Sequence, residues 1–422
     1  MKNLKFFKKG ILYTCILVSS FMFTTSCSDD FLEEPKDESG LTESIVFSSR
    51  TSADSYVSGI MKRYRGQYSS TDTGGLYSLF FARTVKGNDL IQKVSHYTYD
   101  YAHENREPNY RRPVFNWTFN YEIIFHANQL IAGVERSSNL TDADKRELVA
   151  TGKAIRAYHY FQLALDFAPN VTTDPNAAKL PLYLTAVTGS SDPKAPSTTA
   201  EIYDAIVKDL KEAIADLPET RKGKSYINKS VANGMLAQVL IVTQDDWAGA
   251  SDAAAAAYGG NASSAVVSTN WAGGFDDQTD QEWLWSMYQD EIESTYYFAA
   301  PHSMTDHFAD AYSATYINSL FVNKFSQTDI RKKFADIYGA ATPWRKFVTS
   351  KFVFSFEADL PIMRKSEMVL IDAEAQYKLG NTQVAKNLLY ALQVDRDPSA
   401  VMSGNSGDAL YEEILLERRK EL

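Results

Sequence analysis

Residues 140–167 read LTDADKRELVATGKAIRAYHYFQLALDF, and the fold turns on how that stretch is read. Thr141 suits a helix N-cap, and Asp144 three positions later makes a weak capping-box pattern. The small residues Gly152, Ala154 and Ala157 then stand among the large Tyr158, Phe161 and Leu165. Apolar residues returning every three or four positions make an amphipathic helix. A partner lies directly upstream, where FNWTFNYEIIFHANQLIAGVE (115–135) sets Trp117, Tyr121, Ile124, Asn128 and Ile131 on one stripe. Small residues on one helix, large ones on its neighbour and a short turn between them form the pattern of a tetratricopeptide hairpin, whose repeat is about 34 residues.

The same periodicity recurs downstream. STTAEIYDAIVKDLKEAIADLP (197–218) is an amphipathic helix ended by Pro218, and NKSVANGMLAQVLIVTQDDWAGASDAAAAAY (228–258) supplies one or two more. SEMVLIDAEAQYKLGNTQVAKNLLYALQVDR (366–396) gives two helices broken at Gly380-Asn381, a C-cap and turn pair, and DALYEEILLERRKEL (408–422) begins a last one. Each hairpin is followed by loop rather than by the next hairpin. The expected fold is therefore mostly α: tetratricopeptide-like hairpins forming a scaffold, with long irregular loops and a few short strands. The loops are 69–113, 168–198 and 259–303, rich in Gly, Ser, Asn, Asp and Pro, and QEWLWSMY (281–288) alternates like a strand among them. Trp283 and Trp285 of that strand, and Tyr158, Tyr160 and Phe161 of the helix, read as core. Arg156 reads as paired to a nearby acid.

The start of the chain carries an address. Lys2, Lys5, Lys8 and Lys9 precede the apolar ILYTCILVSSFMF, which is shorter than the roughly 20 residues a membrane-spanning helix needs. Thr24, Thr25 and Ser26 then lead to Cys27. Basic, apolar, small, then Cys is the order of a lipoprotein signal. The reading is a signal peptide over 1–26, an acylated Cys27 with a flexible tether to residue 40, and one helical domain over 41–422. Several acyl chains anchor stably where one would not, at about 0.8 kcal/mol per buried CH₂.

Composition agrees with export. The cysteines are Cys15 and Cys27, so the processed chain would hold no disulfide and must rely on its core. With 422 residues, 44% of them hydrophobic, that core can be large. The net charge is −10, and loss of the four leader lysines takes the remainder to −14, which argues against nucleic acid or an anionic membrane face as partner. The aromatic excess, 25 Tyr, 23 Phe and 6 Trp, suits neutral polar ligands, since a tyrosine is apolar along its face and wet at its tip.

The chain shows none of the common enzyme signatures. His302 and His307 stand five apart, not at the four-residue spacing of two metal ligands on one helix face, and there is no HExxH, GxSxG, GxGxxG or P-loop. No carboxylate pair is singled out for glycoside cleavage. The expectation is a protein without catalysis and without cofactor. The acidic FDDQTDQE (275–282) offers oxygen ligands for a structural calcium but lacks the glycine and distal glutamate of an EF-hand, and a solvated loop is the plainer reading.

Binding candidates are aromatics in loops. In SHYTYDYAHE (95–104), Tyr97, Tyr99 and Tyr101 would share one face of an extended segment, about 6–7 Å apart. Rings so placed can stack under the C–H faces of sugars; a half-buried strand is the alternative. Asn88 and Asp89 offer hydroxyl partners, with an Asx turn as alternative. TNWAGGF (269–275) would expose Trp271 beside glycines, and STYYFAAPH (294–302) presents Tyr296 and Tyr297, of which one at most faces a ligand.

These motifs resemble, in order and over nearly the whole length, the SusD/RagB family of outer-membrane nutrient-binding lipoproteins. The resemblance rests on Cys27 with SDDFLEEP behind it, NWTFNYEIIFHANQLI and GKAIRAYHYFQLALDFAPNVTTDPNAAKLPLYL. It continues through TTAEIYDAIVKDLKEAIADLP, DIRKKF, MRKSEMVLIDAEAQYKLGN and ILLERRKEL. Lys153 departs from it, standing where an acid is usual. Family members also run past the last motif, so the chain is expected to lack the family's C-terminal end. The resemblance implies an outer-membrane, lipid-anchored protein facing the exterior of a Gram-negative cell. There it would bind an oligosaccharide or polysaccharide and hand it to a SusC-like TonB-dependent transporter. Two other readings stay open: a tetratricopeptide-like surface protein taking peptide or another non-glycan nutrient, and, further off, a glycoside hydrolase.

Overall fold

The computed structural model describes residues 43–66, 70–267, 271, 273–292, 300–339 and 342–422. Cys27, the leader and the tether lie outside them, as do Tyr296 and Tyr297. The compact unit Val46–Leu422 holds everything that follows. Its longer helices are α1 (Arg50–Tyr64), α2 (Gly75–Thr84), α3 (Arg111–Arg136), α4 (Asp142–Phe167) and α5 (Thr199–Asp216). They continue with α6 (Lys229–Thr243), α7 (Trp247–Tyr258), α8 (Lys365–Lys378), α9 (Thr382–Arg396) and α10 (Asp408–Glu421). The mostly helical scaffold expected from the sequence is what forms.

Local chemistry sets these boundaries. Thr141 accepts from the Asp144 N–H at the start of α4, and Thr198 and Glu201 close a full capping box on α5. Gln244 turns left-handed (φ 59°) between α6 and α7, splitting the 228–258 stretch into two helices. Gly380, at φ +82°, makes the turn between α8 and α9.

Antiparallel packing of α3 on α4, α4 on α5, α6 on α7 and α8 on α9 gives the hairpins. On α4, Gly152 is where α3 comes closest: an added Cβ would stand 2.7 Å from the Ile131 side chain. Arg156 is buried and ties three helices. It forks onto Asp209 of α5 with two 2.8 Å bonds and donates to Asn128 Oδ1 of α3 and to the Leu184 carbonyl. Lys153, the family departure, pairs with Glu212 at 2.7 Å.

One loop assignment needs correction. Residues 69–113 contain helix α2, GLYSLFFART, with Leu76, Leu79 and Phe81 in the core. Its glycines are not loop punctuation. Gly75 has φ +57°, and a Cβ there would meet the Tyr64 carbonyl oxygen at 2.2 Å, so only glycine lets the chain turn against α1.

The strands are short and pair as antiparallel couples: β1 (Leu90–Gln92) with β5 (Thr315–Ile317), β2 (Ala178–Pro181) with β3 (Pro196–Thr198), β4 (Trp283–Met287) with β8 (Leu360–Arg364), and β6 (Phe334–Ala335) with β7 (Val348–Thr349). Trp283 and Trp285 are buried on β4, as read. Loops are thereby pinned to the helices: Tyr160 Oη accepts from the Tyr183 N–H at 2.6 Å, and Tyr121 Oη donates to the Pro181 carbonyl at 2.9 Å.

Candidate functional site

Exposed aromatics of the loops gather near the β1–β5 pair. Its register sets Ile91 opposite Tyr316, and a side-chain bond reinforces it, Thr315 Oγ1 donating to Gln92 Oε1 at 2.8 Å; the Ile317 N–H in turn donates to the Phe347 carbonyl at 2.8 Å. Around this couple the run 303–315 folds back on itself, the Tyr312 N–H donating to the Ser303 carbonyl at 2.9 Å. Tyr316 is buried and serves as a floor. His307 (5.0 Å between ring centres), Trp344 (5.5 Å) and Tyr338 (6.2 Å) stand round it. Tyr338 is 51% exposed and Trp344 37%. The Arg345 guanidinium lies 4.4 Å from the Trp344 ring centre. Phe308 and Tyr312 are exposed on the same run, Tyr312 packing edge-on to His96 at 5.2 Å.

Hydrogen bonding fixes the polarity of this cluster. His307 Nε2 lies 2.8 Å from the Thr315 carbonyl, which can only accept, so Nε2 carries the proton. Burial holds the imidazole below its usual range and hence neutral, so Nδ1 has a lone pair and the Tyr338 hydroxyl donates to it at 2.9 Å. The Tyr338 proton is thus turned inward, and its outward side offers lone pairs. A ligand hydroxyl meeting it must donate.

The residues singled out in the sequence have other placements. Tyr97 is fully buried: its hydroxyl donates to the Thr71 carbonyl at 3.2 Å and Arg112 lies 5.1 Å from its ring centre. The extended ladder does not form, because Thr98–Ala102 is one helical turn, so side chains two apart point to different sides. Tyr99 is left exposed and Tyr101 half-buried. Asp89 is bound by both Arg419 Nε (2.7 Å) and Nη2, and the Asn88 carbonyl accepts from Asn318, so Asp89 is held by α10 rather than open to a ligand.

Trp271 is the largest correction. It is 2% exposed, packed edge-on to Phe275 at 5.0 Å, with Trp283 in the same cluster. The cations Lys351 (4.6 Å), Arg396 (5.4 Å) and Arg364 (5.8 Å) surround its ring. Neighbouring glycines gave the appearance of an exposed loop, but Gly274 is there for proximity: a Cβ on it would meet Val353 at 2.5 Å. Tyr312, Tyr338, Trp344 and Arg345, which the sequence does not single out, lie past residue 303, the end of the long loops. The signal that could have found them is TPWRKF (342–347), a tryptophan between proline and two cations.

Beneath Trp271 the motif residues converge. Glu421 is completely buried and receives Arg364 (2.7 Å), Arg396 (3.0 Å) and Arg331 (3.1 Å). Burial alone would raise its carboxyl; Arg396, Arg364 and Arg331 outweigh that and hold it well below the usual carboxylate range. Glu282, from the acidic 275–282 loop, turns inward onto Arg396 at 2.6 Å. In the same loop Asp277 and Asp280 each cap a backbone N–H two residues on, at 2.8 Å. Among the described residues no three His, Cys, Asp or Glu side chains group as a metal site.

A second aromatic surface lies on the helical side. Trp117, Tyr121, Phe125, Asn128, Pro181 and Tyr183 line a pocket of about 270 Å³ between α3 and the segment after β2. Its polar groups are already engaged with Pro181, Tyr183 and Arg156, so it presents mainly ring and aliphatic surface.

Comparison with known proteins accounts for this architecture. A family model described as starch-binding and associating with the outer membrane matches residues 30–241, half of the chain, and the SusD family model matches residues 269–422. The chain belongs to the SusD family. A SusD-like carbohydrate-binding protein of Bacteroides vulgatus superposes with a TM-score of 0.79 at 24% identity, over 89% of this chain and 81% of that one. SusD superfamily proteins of Bacteroides fragilis (TM-score 0.75, 22% identity, 89% and 87% covered) and Bacteroides thetaiotaomicron (0.74, 19%, 88% and 86%) share the fold. No curated protein matches the chain. No helix among the described residues is long and apolar enough to cross a membrane.

Proposed function

We propose that this SusD-family protein is a glycan-binding lipoprotein of the outer cell surface, anchored through Cys27, which captures an oligosaccharide and passes it to a SusC-like TonB-dependent transporter. One observation carries the reading: exposed rings on the loop face, Tyr338 foremost, are held in fixed orientation by a buried tyrosine and a neutral histidine. A rigid ring loses little entropy when a sugar settles on it, and a hydroxyl with its proton turned inward selects a donating sugar hydroxyl. Micromolar affinity needs only about −8 kcal/mol, which a few such contacts supply while still permitting release. Binding is non-covalent and no turnover is involved.

Isothermal titration against plant, host and microbial glycans, with product analysis, tests it. Binding of an intact glycan that weakens at least tenfold in Tyr338→Ala is expected. Peptide binding alone, or a shortened glycan, would replace this reading with one of its alternatives. Palmitate labelling that disappears in Cys27→Ser tests the anchor, and co-purification with a TonB-dependent channel tests the partner.

A further inference from the structure

The charges on the loop face narrow the ligand class. Lys93, Arg345 and Lys346 are exposed there, on a chain whose net charge is −10. Arg345 makes no ion pair among the described residues; its guanidinium rests on Trp344 with no carboxylate to neutralise it. Lys93 follows β1 directly, its N–H bonded to the Ala314 carbonyl at 2.8 Å, and its charge acts on His307. Asp306, whose charge also acts on His307, is buried. Its carboxylate accepts the N–H groups of Phe308 (2.7 Å), Ala309 (3.2 Å) and Phe354 (2.7 Å), so it is already engaged. Asp336 has a partner of its own, and Asp310 is the remaining exposed acid of the run. Elsewhere among the described residues the arginines that approach aromatic rings are paired: Arg112 with Asp100, Arg331 with Asp329, Arg364 and Arg396 with Glu421, Arg419 with Asp89.

An unpaired guanidinium held on a ring is pre-organised for a planar anion, because its fork of N–H donors matches a carboxylate or sulfate edge. We propose that the loop face takes an acidic glycan, one sugar lying against Tyr338 while its carboxylate or sulfate meets Arg345. This rests on the glycan-binding reading and goes beyond it by naming the substrate class.

The test is isothermal titration of the protein with a neutral malto-oligosaccharide, an oligogalacturonate bearing carboxylates and a sulfated chondroitin oligosaccharide, at 20 mM and 1 M NaCl. At low salt at least one acidic glycan should bind roughly tenfold tighter than the neutral one, with Arg345→Gln erasing most of that ratio. At 1 M salt, where the screening length falls to about 3 Å, the preference should shrink likewise. The two acidic ligands separate carboxylate from sulfate as the recognised group. Equal or tighter binding of the neutral glycan, or an unchanged acid-to-neutral ratio in Arg345→Gln, would overturn the acidic class while leaving glycan binding in place. No binding to any glycan would overturn both. An unchanged melting temperature in Arg345→Gln confirms that the variant reports on the ligand.

Discussion

Trp271 and Trp344 each sit against a cation, and they are put to opposite uses. Around Trp271 stand two buried arginines and the half-buried Lys351, and Arg364 and Arg396 are matched by Glu282 and Glu421. Around Trp344 the cation is exposed and has no acid. A charge taken out of water must be paired or it shifts its pKa; burial pushes the Lys351 ammonium down to about 7, and three ring faces lie within 5.1 Å of it. A charge left at the surface can stay unpaired until a ligand comes. Pairing thus separates the scaffold from the proposed site more sharply than the presence of a tryptophan does.

The comparison breaks most visibly if its buried half is cut. Arg396→Met leaves Glu282 and Glu421 short of their main partner and should cost about 3–5 kcal/mol, read as a large fall in denaturant midpoint. Trp271→Ala should cost a comparable 3–5 kcal/mol of stability by opening a cavity, while glycan affinity per folded molecule stays as it was. Retained stability with lost affinity in that variant would reverse the assignment of the two tryptophans.

Acid sharpens the same contrast. Glu421 and Asp329 titrate below their ordinary ranges in the folded protein: against the pull of burial, the cluster arginines hold Glu421 down, and Arg331 with Lys420 holds Asp329 down. Their stabilisation is therefore complete above their unfolded values of 4.5 and 3.8 and is lost as pH falls through the folded ones. Unfolding followed from pH 6 to 3 should show the loss beginning near 4.5, and the slope should flatten in Glu421→Gln if that variant folds.

At the exposed half the effects are smaller. Trp344→Ala removes the support of Arg345 and should weaken glycan binding about tenfold, or about 1.4 kcal/mol, with stability within about 0.5 kcal/mol of the parent. Tyr338→Phe removes one hydrogen-bond acceptor and should cost about 1 kcal/mol of binding. Equal affinity in both variants would move the site elsewhere, with the Trp117 pocket first in line.

How much was legible follows from range. The helices were, because capping and periodicity act within four residues: Thr141, Pro218 and Gly380-Asn381 bound them much as read. The pairing of Arg156 was half legible, since a buried arginine needs an acid, yet nothing local says that Asp209, 53 residues on, supplies it. The candidate site was largely illegible. Tyr97 and Trp271 have the local company of exposed rings, but Tyr97 is covered by Thr71 and Arg112 and Trp271 by Lys351, Arg364 and Arg396, none of them in the motif that surrounds the ring.

The sequence by itself determined the helical scaffold, the hairpin turns and the family, because those rest on short-range periodicity and on motifs in fixed order. Only the tertiary structure decided which rings face water and which cations lack an acid. Exposure and ion pairing depend on what lies across space rather than along the chain, and pairings such as Asp89 with Arg419 span 330 residues.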